Sequence, residues 1–154
     1  MASSKNIHVE IKDNTEHFKE QLEQKMPSIL KAIGQTAEGY AKEDCPVDTG
    51  LLRNSLTFAL AGEQPNITSY SSDSPDETGT VQTGEYSGSM PQDDKTTLHS
   101  VYIGSNVKYA PANEFRDITH EVGKAHFIRD SIQDHKSEYK DIIEAAIKSI
   151  PGVN

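Results

Sequence analysis

Cys45-Pro46-Val47-Asp48-Thr49-Gly50-Leu51-Leu52-Arg53-Asn54-Ser55 lies where the chain passes from one hydrophobic period to another. Upstream, Phe18, Leu22, Met26, Ile29, Leu30, Ile33, Ala37, Tyr40 and Ala41 recur along one helical stripe. Downstream, Leu56, Phe58 and Leu60 alternate, the period of a half-buried strand. Pro46 sets the boundary, because the residue before a proline is pushed toward extended geometry. Asp48 is placed to cap a short helical turn with its carboxylate, and Gly50 supplies backbone freedom. A long amphipathic helix running straight into a strand needs a sheet to lie on, which predicts an α+β fold.

Working outward, Ile7, Val9 and Ile11 alternate and predict a first short strand. Pro27 interrupts the long helical stripe and predicts a kink or two helices. Gly34 and Gly39 each weaken that helix by roughly 1 kcal/mol relative to alanine. Beyond the middle of the chain, Val101 and Ile103 share one strand face, residues 104–106 read as a turn, and Val107 with Tyr109 predict a return strand. Pro111 opens a short helix through Phe115. Ile128, Ile132, His135, Tyr139, Ile142, Ile143, Ala146, Ile147 and Ile150 form one last helical stripe, ended by Pro151-Gly152. The expected architecture is one α+β domain over residues 1–154. Its small antiparallel sheet is packed by the long N-terminal helix and a C-terminal helix.

Residues 61–98 differ in character. They are rich in Ser, Thr, Gly, Asp and Pro and carry seven acidic residues against the single Lys95. Most of the net charge of −9 is concentrated there. Loops of this length inside a domain are either disordered or functional, so the segment reads as a flexible acidic insertion between two strands, with a weak hairpin over residues 81–86. Tyr70, Val81, Tyr86 and Met90 are its candidate partner-contact residues.

The excess of 24 acidic over 15 basic side chains argues against a duplex-binding protein, whose affinity comes from Lys and Arg on phosphates. DNA could pass such a protein without being held specifically. Cys45 is the only cysteine, so it has neither a disulfide partner nor the spaced companions of a zinc site. No apolar run approaches the ~18 residues of a membrane span, and residues 1–12 lack a signal-peptide apolar stretch. A protein made in the cytoplasm and free of membranes is expected.

Asp48-Thr49-Gly50 is the sharpest catalytic candidate, because aspartic proteases of the retroviral type use this tripeptide in a dimer whose two carboxylates share a proton. Here, however, it follows a long helix and Cys45-Pro46, where that chemistry needs an apolar strand, and Leu51 stands where a small residue is usual. Six histidines are present, yet none shows the spacing of a zinc-hydrolase helix. Glu43-Asp44 beside Cys45 would raise its thiol pKa. No Gly-rich phosphate loop or nucleophile elbow occurs. The residues therefore predict no enzyme, no cofactor and no metal.

Two blocks carry a resemblance. One is Tyr40-Ala41-Lys42 with residues 45–55; the other is Val101-Tyr102-Ile103-Gly104-Ser105-Asn106-Val107-Lys108-Tyr109-Ala110-Pro111 followed by Glu114-Phe115. Together with His126-Phe127-Ile128-Arg129, they resemble the minor tail-component (gene-product-ten-like) family of long-tailed bacteriophages and prophages. The sequence departs from that pattern at Arg116-Asp117, where Gly-Thr is usual, and at His126, where Pro is usual.

The resemblance implies a structural protein of tail completion or head–tail joining in the phage neck, acting as a ring, commonly six-fold, beside a connector, stopper, tail terminator or tail tube. Its place would be the virion, after assembly in the bacterial cytoplasm. Pro46, Asp48, Thr49, Gly50, Leu52, Arg53, Gly104, Tyr109, Ala110, Glu114 and Phe115 would be its structural motif residues. A tail terminator or other minor tail protein is the nearest alternative. An aspartic protease and a small regulatory binding protein are alternatives of other classes.

Overall fold

A computed structural model describes residues 13–90 and 99–151. The first strand read from Ile7, Val9 and Ile11 lies outside the described residues. The helical stripe forms a single continuous helix, α1 (Thr15–Asp44), with Pro27 inside it. Pro27 cannot donate to the carbonyl of Glu23, but both residues are exposed, so water can take that carbonyl and the helix need not divide in two. It is deeply covered only from its middle onward, at Ile29, Gly34, Ala37 and Ala41.

A short helix, α2 (Leu51–Ser55), follows the turn and leads into β1 (Thr57–Leu60). β1 pairs antiparallel with β4 (Val101–Gly104), from Thr57 opposite Gly104 to Leu60 opposite Val101. All four residues of β1 are buried, so the strand is covered on both faces and not half-buried as its alternation predicts. The pair lies on α1 at Gly34. A Cβ there would stand 2.5 Å from the Phe58 ring and 3.0 Å from Val101 Cγ2.

The acidic insertion is not the bare loop its composition predicts. β2 (Ser69–Ser71) and β3 (Thr83–Glu85) form a second antiparallel pair, with Tyr70 opposite Gly84. Residues 81–86 do not form the expected hairpin by themselves; that stretch supplies the single strand β3, whose partner is residues 69–71. Among the described residues, two sheets of two strands stand where one small sheet was expected. The insertion's ends meet where β1 and β4 pair; residues 91–98 lie outside the described residues. Tyr70 and Tyr86, candidates for partner contact, turn inward instead. The Tyr86 hydroxyl donates to the Ser55 carbonyl at 2.6 Å, and that of Tyr70 donates to Asn106 Oδ1 at 2.5 Å.

After β4 the chain does not return as a strand. Ala110 N donates to the Val107 carbonyl, and the Tyr109 carbonyl accepts from Ala112 and Asn113, which starts α3 (Ala110–Phe115). Val107 is buried in the core and Tyr109 is turned outward. The C-terminal stripe is two helices where one was expected, α4 (Phe127–Asp134) and α5 (Lys136–Lys148), separated at His135. A tertiary contact fixes that joint: the His135 ring stacks on Tyr40 of α1 at 3.3 Å and 6°. The Tyr40 hydroxyl also donates to Glu138 at 2.6 Å. The core joins Ala41, Cys45, Leu52, Leu56, Val107 and Phe127. The result is mixed helix and sheet, an α+β fold.

Gly34 and Gly39 make a paired test. Gly34→Ala should destabilise the protein by about 1–3 kcal/mol, because the methyl group must displace Phe58 in a packed core. Gly39 has open space around its Cβ position, so Gly39→Ala should gain roughly 0.5–1 kcal/mol from helix propensity. Urea unfolding of the two variants checks the opposite signs.

Candidate functional site

The turn before α2 is held from outside. Gly50 is its N-cap at φ 84°, and no side chain caps the helix, so Asp48 does not fill the role its position suggests. Asp48 points outward and is exposed. The turn is held instead by Asp73, from the insertion. The backbone N–H groups of Asp73 and Ser74 donate to the Thr49 carbonyl at 2.8 and 3.3 Å. The Asp73 carboxylate accepts from Arg53 at 2.5 Å and from Asn54 at 2.8 Å. Those hydrogen bonds, from Asn54 first, hold its carboxyl below the usual range. A Cβ on Gly50 would lie 2.1 Å from Asp73 Oδ2, so this glycine is needed for space as well as for its left-handed backbone.

The hairpin tip is closed by Asp76. Its carboxylate accepts from Thr78, Thr80 and Gln82, which together bring its pKa down to about 2. Between the residue 46–52 turn, this tip and residues 119–122 opens a cleft of about 760 Å³. Asp48, Asp76, Glu77 and Glu121 line it together with Tyr109 and Val122, and no Lys or Arg is among its lining residues. His120 also lines it, with Nε2 buried and without a partner among the described residues.

The second motif block works mostly as architecture. Ser105 and Ser55 share a hydrogen bond at 2.6 Å, joining the two blocks. Ala110 is buried in the core. Glu114 is 8% exposed, and its two carboxylate oxygens accept the N–H groups of Ile128 at 2.9 Å and Arg129 at 3.0 Å. It thus caps α4 from another helix, supplying the acceptors and the negative charge that a helix N-terminus lacks. Its neighbour Phe115 does the reverse and is 78% exposed.

His126, at the N-cap of α4, adopts φ 56°. Its Nε2 lies 2.8 Å from Asp117 Oδ1, and Nδ1 contacts the Glu114 carbonyl. The Asp117 hydrogen bond, then that of Glu114, raises the imidazole pKa above its ordinary 6.5.

Pro46, Asp48, Thr49, Gly50, Leu52 and Tyr109 thus meet around one cleft. Gly104 and Met90 line a separate groove of about 440 Å³, while Val81 stands exposed on the hairpin. The sequence reading missed Asp73, Asp76, Glu77 and Val122 as groups acting with the first motif. No local signal marks them, because the contacts are made across the fold. Among the described residues no group of His, Cys, Asp and Glu could hold a metal ion. Burial pushes the Cys45 thiol up to about 12, leaving it protonated and a poor nucleophile. No described helix is long and apolar enough to cross a membrane. No family model, curated protein or solved structure matches the chain.

Glu114→Ala should cost roughly 1–3 kcal/mol, since two helix donors lose a buried acceptor. Glu114→Gln, which keeps one acceptor oxygen, should cost less; equal losses in thermal melts would refute the capping role. For His126 the folded pKa is raised, so its stabilising contribution is fully present below the unfolded value near 6.5 and fades as pH rises through the folded value. NMR titration should show Asp117→Asn lowering the His126 pKa.

Proposed function

We propose that the protein is a structural subunit of the head–tail junction of a long-tailed phage, a tail-completion or neck protein that works in a ring and catalyses nothing. One observation carries the reading. The Glu-Phe step, through Glu114, caps the helix that opens with the His126-Phe127-Ile128-Arg129 step. The pieces of sequence that resemble the phage family are therefore mutually dependent contacts. The Ser55–Ser105 hydrogen bond and the β1–β4 pairing join the remaining blocks in the same way.

On this reading the ring is six-fold, as the resemblance implies. It sits in the virion neck after assembly in the host cytoplasm and contacts a connector or stopper on one side and a terminator or tube on the other. DNA passes it without specific binding, which agrees with a net charge of −9. The protease alternative is weaker, since Asp48 lies on an exposed turn after a helix.

Inactivating the gene in the phage or prophage that carries it should leave DNA-filled heads and complete tails unjoined in electron micrographs. Infectious particles at parental yield would refute the role. Asp48→Asn separates the protease alternative: proteolysis by the purified protein that this variant abolishes would revive the case for that carboxylate as a catalytic group.

A further inference from the structure

The loop between α3 and α4, residues 116–126, is tied down in its backbone while its apolar side chains are left in water. Gly123 has φ 79°, and a Cβ there would stand 2.4 Å from the Cys45 carbonyl, so the loop is pressed directly against the start of the first motif. Lys124 N donates to the Asp44 carbonyl at 2.9 Å, and its ammonium lies 2.8 Å from Asp44 and 3.8 Å from Asp134. His126 closes the far end between Asp117 and Glu114. Yet Val122 is 58% exposed, Phe115 at the end of α3 is 78% exposed, and Ile118 and Tyr109 are 39% and 45% exposed. Nothing in the domain core needs these side chains outside. Apolar anchors on a backbone already fixed lose little further entropy on binding, which is the property of interface hot spots.

Charge decides what such a surface takes. Val122 and Tyr109 line the 760 Å³ cleft beside Asp48, Glu77 and Glu121, whose carboxylates, unlike that of Asp76, make no hydrogen bond or ion pair among the described residues. The cleft has no cation of its own, and the whole chain carries −9. A second copy would therefore bring like charge to it, whereas a cationic segment would be drawn in. We propose that the cleft forms a docking surface for a basic protein segment, one that places Lys or Arg side chains on Asp48, Glu77 and Glu121 around an aromatic or branched aliphatic anchor packed on Tyr109 and Val122. The surface follows from its side chains alone and does not depend on the head–tail reading.

The test is selection from a ribosome-displayed random-peptide library against the full chain, followed by anisotropy titration of the enriched peptides. The selected sequences should carry Lys or Arg together with an aromatic or branched aliphatic residue. Val122→Ser should weaken their binding several-fold, with melting unchanged because the side chain is exposed. Glu77→Gln with Glu121→Gln should also weaken binding and flatten its dependence on salt. Failure to enrich any peptide, enrichment of neutral or acidic peptides, or parental affinity in Val122→Ser or in the paired Glu77→Gln, Glu121→Gln variant would overturn the proposal.

Discussion

The structure hangs on the place where α1 crosses the β1–β4 pair at Gly34, where the helix contributes no side chain. A two-stranded antiparallel ribbon is marginal alone in water, and this one persists because Gly34 lets the Phe58 ring and Val101 come against the helix backbone. From that contact the rest is positioned in order. β1 fixes Ser55 at its entrance, and β4 fixes Ser105 and Asn106 at its exit. The chain leaving β4 then enters α3 directly, which brings Glu114 to the start of α4. α4 and α5 close on α1, pinned by the His135–Tyr40 stack.

What was legible in the sequence follows from where each element obtains its order. α1, β1 and β4 are set by hydrophobic period and by Pro46, which are local properties, and they stand close to where that period puts them. The break at His135 was not legible, because an uninterrupted apolar stripe runs through it and only a ring on another helix marks the joint. Val107 and Tyr109 alternate as strand residues do, yet one belongs to the core and the other begins a helix. A two-residue alternation carries too little information to exclude that.

The strand pair inside the insertion was hidden for a different physical reason. Low hydrophobicity and many turn-forming residues are also the composition of disorder, and period analysis detects only order that comes from apolar faces. Here order comes from polar groups meeting across the fold: Asp73 with Arg53 and Asn54, Tyr86 with Ser55, Tyr70 with Asn106. Such contacts leave no periodic trace. The same blindness hid what holds the turn before α2: a cap was expected from Asp48, whereas the turn is bound from outside by Asp73, far along the chain. Glu114 and Phe115 show the complementary limit. Adjacent in one motif, they face opposite ways, one buried as a cap and the other exposed, and the motif alone does not say which is which.

Acidic composition also has to be separated into charge that is used and charge that is available. Asp73 is largely neutralised by Arg53, so it adds little to any long-range field. Asp76 keeps its charge, because its partners are hydroxyl, amide and backbone donors, but its oxygens are occupied. It can repel a passing polyanion, which requires only net charge, yet it has little capacity left to recognise a partner. Asp48, Glu77 and Glu121 can do both. The total of −9 therefore bears on what the protein repels, while the charge left free in the cleft is that of three carboxylates. Two of them, Asp48 and Glu121, lie outside the segment in which the sequence concentrates its charge.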